Sequence, residues 1–234
     1  RVVPRLAAST FVRTRLAEWL PLSLRFTKLD LVYSSSYHGR TLANLYRCLA
    51  KSRHTILILE PFDDSDDTGR ILAGMYASYT WHPSSQVYGD GRCFLFRINL
   101  DDEKKENNDR KKDKEYKNHL GSRSWKWHPP DLLDFGPSSS FDNDDSIFSS
   151  KQSTSVRSTL LETFQVSTHD FLSLGGNEKG GAGLRLNEDL TKGESSRADG
   201  FDNDSLLPGI GDMFEVGLVE VYQLVRQMDG GVVC

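Results

Sequence analysis

The chain has 234 residues, with 29 Lys and Arg against 33 Asp and Glu, for a formal net charge of −4. That balance is too even to imply a nucleic-acid partner by composition, and no apolar run approaches the roughly 18 residues of a membrane-spanning helix. Three cysteines, Cys48, Cys93 and Cys234, with neither CxxC nor Cys/His spacing argue against a disulfide framework and a structural zinc site. A reducing compartment fits, so the expected location is cytoplasmic. Because the chain opens on Arg1 rather than Met, a native segment before it, with any targeting peptide, is expected to be missing.

In chain order, apolar residues at helical intervals (Phe11, Leu16, Trp19, Leu20) predict an amphipathic helix from Leu6 to Leu20, which Pro21 stops. Lys28 to Ser34 alternates with a strand period. After Gly39, the residues Leu42, Leu45, Tyr46 and Leu49 follow i, i+3, i+4, i+7 and predict a second helix capped by Thr41 or a neighbour. Strands are expected at Thr55 to Leu59, Arg70 to Tyr79, Cys93 to Leu100 and around Trp125 and Trp127, close enough in sequence to form a meander. The third of these puts Phe94, Phe96, Ile98 and Leu100 on one face and Cys93, Leu95, Arg97 and Asn99 on the other, the pattern of a strand buried on one side and partly covered on the second, which suits a two-sheet sandwich. From Asp101 the composition changes: residues up to Asn118 are mostly charged, with Tyr116 the one large apolar residue, and Pro129 to Ser158 is rich in Ser, Asp and Pro. Such segments bury too little apolar surface to offset their ordering entropy. They are expected to be insertions, at about 101–122 and 129–158, in a single domain covering 1–234. Structure resumes near Phe164 and ends in a strand from Phe214 to Val225.

Several constellations invite a chemical reading. The glycine-rich stretch Gly175 to Gly183 lacks the Lys-Ser/Thr pair of a phosphate loop, because Gly181 and Ala182 follow Gly180. A glycine-dependent packing loop is the expectation. Ser36 and His38 would share a strand face, so a hydroxyl could pass its proton to an imidazole, although no GxSxG elbow accompanies them. The plainer expectation is that these side chains cap the following helix. Asp63, Asp64, Asp66 and Asp67 resemble part of a calcium loop, but the closing glutamate position, counted from Asp64, is Met75. The six histidines show no metal-ligand spacing, and no metal or cofactor is expected. Cys48 is expected to be a small buried residue.

The order of segments then becomes recognisable. Leu31 to Leu42, with Tyr33, Ser34, His38 and Gly39, resembles the "LLYSSxxHGxSL" opening of TLDc domains. Ile71 to Ser78, with Gly74, is similar to that family's "xxFGAYxS" strand, and Tyr88 to Phe96, with Gly89 and Gly91, to its "YGxGExFLF". Lys126-Trp127 resembles "KWTG". Gly175, Gly176 and Gly183 to Leu190, with Asp189, resemble "LGGGxxxxGLWLDxDL", Gly193 to Asn203, with Phe201, resembles "GxSxxCxTFNN", and Val219 to Tyr222, with Glu220, resembles the closing "LEVW". Arg92 stands where the family usually has Glu, Arg185 replaces a usual aromatic, Asn187 a usual Asp, and Ala198 a usual Cys.

The resemblance implies an α+β, mainly β fold: a two-sheet antiparallel β-sandwich flanked by a few helices. It implies a non-catalytic interaction module that protects against oxidative stress by binding and regulating the cytosolic subunits of the V-ATPase, at the cytosolic face of acidic organelles. It brings no catalytic residues, cofactor or metal. An enzyme using Ser36 with His38, or a cysteine, is the alternative. The motif positions named above are expected to be structural or interfacial. Glu220 is read separately from its period: with Phe214, Val216, Leu218, Tyr222 and Leu224 on its face, its carboxylate points among apolar neighbours and requires partners.

Overall fold

The computed structural model describes residues 3–62, 70–103, 121–128, 164–176, 181–208 and 210–226. Helix α1 (Thr10–Trp19) begins at Ser9, whose hydroxyl accepts from the Phe11 N–H at 3.1 Å. It buries Phe11, Val12 and Leu16. The helix starts later than its apolar spacing suggests because the N–H groups just before it are already committed. Arg5 and Leu6 donate to the Glu220 carboxylate, at 3.1 and 2.8 Å, and Ala7 donates to the Tyr222 hydroxyl at 3.0 Å.

Strand β1 (Lys28–Ser34) is followed by α2 (Ser35–His38), a single helical turn, and then by α3 (Leu42–Leu49). Thr41 caps α3 by accepting from the Asn44 N–H at 3.2 Å. Four strands, β2 (Thr55–Pro61), β3 (Ile71–Ala77), β4 (Phe94–Asn99) and β5 (Arg123–Lys126), form the expected meander. The remaining strands are β6 (Gln165–Ser167), β7 (Phe171–Leu174), β8 (Leu184–Asn187), β9 (Lys192–Glu194) and β10 (Met213–Val225). One sheet runs β5-β4-β3-β2-β10 with β1 on the far side of β10, and the other runs β10-β9-β8-β7-β6. Every pairing is antiparallel.

The two sheets share β10. Its first residues pair with β9 and its last with β1 and β2, and the register with β2 shifts between Val216 and Leu218. A bulge of one residue moves every following side chain to the opposite face. Accordingly Phe214 and Val216 join Val219 and Val221 in the core between the sheets, while Leu218, Tyr222 and Leu224 join the second cluster beneath α1. Uninterrupted alternation would put Phe214 and Val216 on the face of Glu220. Gly217 breaks that alternation.

Leu57, Leu59, Met75 and Leu95 from one sheet meet Leu172, Leu174, Leu184 and Leu186 from the other. This is a sandwich core, where full burial of each aliphatic side chain is worth about 1.5 to 3 kcal/mol. On its other side the first sheet presents Ile56, Ile58, Phe94, Phe96 and Ile98 to α1. Both faces being covered explains why every residue of β3 and β4 is buried. The expected insertions at 101–122 and 129–158 lie mostly outside the described residues. Their described edges belong to the framework: residues 101–103 are helical and Gly121 and Ser122 lead into β5.

Candidate functional site

The segment from Ser34 to Thr41 is where the motif residues converge most densely. Tyr33 is fully buried at the end of β1, and its hydroxyl donates to the Gly39 carbonyl at 2.6 Å. Burial raises its pKa well above the ordinary tyrosine value. The His38 ring stacks on Tyr33 at 5.7 Å, and its Nδ1 accepts from the Ser34 N–H at 3.0 Å. A neutral His38 therefore carries its proton on Nε2. The Ser34 and Ser36 hydroxyls share a hydrogen bond of 2.9 Å. Ser35 turns inward, where its hydroxyl accepts from the Val219 N–H of β10 at 3.1 Å.

This geometry corrects the strand reading of Ser36 and His38. They lie in a helical turn, Ser36 bonds to Ser34, and His38 Nδ1 is occupied by backbone. His38 Nδ1 is not positioned to take a proton from Ser36. The turn exists because Gly39 adopts φ +86°, a conformation that L side chains rarely adopt, and so lets the chain reverse into α3.

Arg40, the next residue, fastens this turn to two distant segments. Its guanidinium donates to the Gly217 carbonyl at 3.0 Å, to the Leu190 carbonyl at 2.9 Å and also to the Val216 carbonyl. The Leu42 N–H adds a bond to the Glu188 carbonyl at 2.9 Å. Three motifs thus meet at the bulge of β10. Sequence reasoning singles out Arg40 for no role, because a lone arginine gathering carbonyls has no spacing signature. Asp189 is exposed beside this junction.

A second convergence lies around residues 195–207. Gly175 has φ +75°, and a Cβ there would stand 2.8 Å from the Ala198 Cβ and 3.0 Å from the Phe201 ring. Gly183 faces Leu95 across the core, and Gly193 lies under the Phe214 ring. The Gly176 carbonyl accepts from the Asp199 N–H at 3.1 Å. Asn203, buried, accepts from the Ala198 N–H at 3.0 Å and donates to the Ser196 and Asp204 carbonyls at 2.9 and 2.8 Å. Ala198, where the resembled family has Cys, is fully buried, so no thiol is present at this position.

Near the start of β4, the Gly91 backbone lies against the Trp127 indole, and Gly89 takes φ +105°. Arg92 pairs with Asp90, Nε to Oδ2 at 2.8 Å. Burial opposes the Asp90 charge, but hydrogen bonds from Arg92 and from the Ser78 hydroxyl outweigh it and hold the carboxyl below its ordinary pKa. In β3, a Cβ on Gly74 would stand 2.2 Å from the Leu57 carbonyl oxygen.

Glu220 is fully buried, and its partners are all donors: the Arg5 and Leu6 N–H groups and the Tyr222 hydroxyl. Cys48 is half-buried against the inter-sheet core rather than fully buried, and Cys93 is buried, with its thiol pushed up to about 12 mainly by burial. The aspartates at 63–67, Lys179, Gly180 and Cys234 lie outside the described residues. Among the described residues no three His, Cys, Asp or Glu side chains gather as metal ligands, and no helix is long and apolar enough to cross a membrane.

Comparison with known proteins follows the same segments. Residues 8–122 match the family model of the TLDc domain. The chain is 24% identical over 228 residues to TBC1 domain family member 24 of Xenopus laevis, covering 90% of this chain and 36% of that protein. It is 33% identical over 79 residues to MTOR-associated protein MEAK7 of Gallus gallus, covering 34% of this chain and 15% of that protein. The corresponding Mus musculus protein is 34% identical over 68 residues, covering 29% and 14%. The alignments thus span between 14% and 36% of the relatives' own lengths. With the family model matched from the first helix to the entry of β5, residues 8–122 of the chain form part of a TLDc-type module.

Proposed function

We infer that the chain is a non-catalytic interaction module that docks on a protein partner, the cytosolic sector of the V-ATPase, and regulates the pump as part of protection against oxidative stress. The reading treats the chain as one TLDc-like domain with insertions at 101–122 and 129–158, working at the cytosolic face of acidic organelles.

The observation that carries it is the engagement of the motif's polar groups. The side chains of Ser35, His38, Arg40, Asn203 and Glu220 all bond backbone groups of neighbouring or distant segments. Chemistry of that kind fixes shape, and a fixed shape presents a surface to a partner. The pump itself is supplied by the family resemblance. The enzyme reading needs a free hydroxyl–imidazole pair, and Ser36 and His38 are engaged elsewhere.

The test is capture of the purified peripheral V-ATPase sector on the immobilised chain, followed by ATP hydrolysis with the chain added. Retention with altered hydrolysis is expected, and absence of both at micromolar concentrations overturns the assignment. Two relatives are named for association with MTOR, so that complex belongs in the same capture as a competitor. Its retention in place of the pump would change the partner and keep the module.

A further inference from the structure

The first thirty residues carry six Arg or Lys against Glu18 and Asp30, a net +4, although the whole chain is −4. The structure gathers part of this charge around an open groove of about 630 Å³ between the N-terminal segment, α1, the short helical turn Leu22–Leu24 and β1. Leu16, Leu20 and Leu29 are among its apolar lining, Arg13, Arg25 and Lys28 supply its charge, and no Asp or Glu lines it.

Two apolar side chains of the groove project outward: Phe26 is 91% exposed and Val3 75%. Leu22, on the turn before Phe26, is 74% exposed. Isolated surface apolar residues are ordinary. Three this exposed, on two neighbouring segments and next to cations, form a surface with a preferred partner.

The cations keep their charge available. Arg13 donates from Nε to the Ala7 carbonyl at 2.9 Å, and Arg25 donates to the Leu20 and Glu18 carbonyls at 3.2 and 3.0 Å. Carbonyls orient a guanidinium without neutralising it. Lys28 pairs with Asp30 at 2.7 Å, but both side chains are about half exposed, where such pairing is weak.

We propose that this face docks on an anionic phospholipid surface, with Phe26, Val3 and Leu22 entering the headgroup region while Arg13, Arg25 and Lys28 meet the lipid phosphates and carboxylates. Projecting apolar side chains beside cations match a membrane interface, where the apolar part is buried and the charge stays at the anionic headgroups. A recessed pocket would suit a peptide anchor better. None of the six side chains that would meet the lipid is a motif position discussed above, although Tyr222 of the closing motif also lines the groove. Its failure therefore leaves the TLDc reading intact, and failure of V-ATPase binding leaves the surface intact.

The experiment is sedimentation of the 234-residue chain with phosphatidylcholine vesicles, with and without phosphatidylserine. Pelleting is expected with phosphatidylserine only, weakening as salt rises. Val3→Ser with Phe26→Ser should lower the partition coefficient at least tenfold without changing the thermal melt, since both side chains are exposed. Arg25→Gln with Lys28→Gln should lower it by on the order of 25-fold, at roughly fivefold per cation. Arg25→Lys, which keeps the charge, should retain most of the binding. A chain that stays in the supernatant with phosphatidylserine, or a Val3/Phe26 variant that pellets like its parent, overturns the proposal. Retention on an acidic helical peptide without vesicle binding also overturns it and assigns the face to a protein.

Discussion

Glu220 illustrates how one side chain decides where an element begins. Its Oε2 receives the Leu6 N–H, the Arg5 N–H and the Tyr222 hydroxyl, which holds residues 5–7 in a turn against β10 until Ser9 starts α1. Glu220→Gln with its carbonyl at the Oε2 position keeps these bonds without charge assistance and should cost about 1 to 2 kcal/mol. Glu220→Ala leaves the Leu6 N–H and the Tyr222 hydroxyl unsatisfied and should cost about 3 kcal/mol or more. Thermal melts compare the two, and an Ala variant as stable as Gln would contradict the clamp. Cys93 sets a pH dependence. Its thiol has a folded pKa of about 12 against an ordinary 9.0, so the fold favours the protonated form. The contribution is fully present below pH 9 and is lost as pH rises from 9 toward 12. Urea melts across that range should show a decline that Cys93→Ala reduces. For the same reason iodoacetamide at neutral pH should label half-buried Cys48 before Cys93.

At the scale of elements, local pattern was a good guide wherever one face or both faces of a segment met a core. β2 to β5 and α3 follow their hydrophobic periods because each packs against the clusters that those periods anticipate. Pattern failed where a contact distant in sequence outweighed it. The start of α1 yields to Glu220, the Ser35–His38 turn is stabilised by Ser35 reaching Val219, and the β10 face inverts at Gly217, where no local signal distinguishes a bulge from a tolerated strand glycine. The same long-range control predicts the cost of substitutions. In Gly74→Ala the new Cβ meets the Leu57 carbonyl oxygen, a backbone atom in the centre of the sheet, and should cost about 3 kcal/mol or more because the strands must separate. Gly175→Ala combines the positive φ with contacts to Ala198 and Phe201 and should cost about 1 to 3 kcal/mol. Arg40→Ala removes the donors to Val216, Gly217 and Leu190 and should cost about 2 to 3 kcal/mol, which at this chain length lowers the melting temperature by roughly 4 to 12 °C. A melting temperature unchanged by Arg40→Ala would mean that the bulge holds itself.

At the scale of the molecule, the sandwich was legible because the ordered motifs span nearly the whole chain, while the contacts flanking the charged segment after Asp101 were not, since they depend on short polar side chains that composition cannot distinguish from loop. Asp102 Oδ2 accepts from both the Ser122 N–H and the Ser122 hydroxyl at 2.8 Å, and that hydroxyl accepts from the buried Asn99 N–H at 3.0 Å. Glu103 in turn accepts from the Ser9 hydroxyl that caps α1, at 3.2 Å. A clasp therefore closes the segment at residues 101–103 and 121–122, and a deletion should respect it. Replacing residues 104–120 with a short glycine linker leaves the clasp intact and shortens the loop by about two doublings, worth on the order of 1 kcal/mol in closure entropy. That variant should melt within a few degrees of the parent. Deleting 103–122 instead removes Ser122, leaves the Asn99 N–H unsatisfied at a cost of about 1 to 3 kcal/mol, and loses the Glu103 contact, so its melting temperature should fall by several degrees more. Calorimetry on the two deletions tests both claims. Unfolding of the 104–120 variant would show that the charged segment belongs to the framework, and equal stability of the two would show that the Asp102–Ser122 clasp holds nothing.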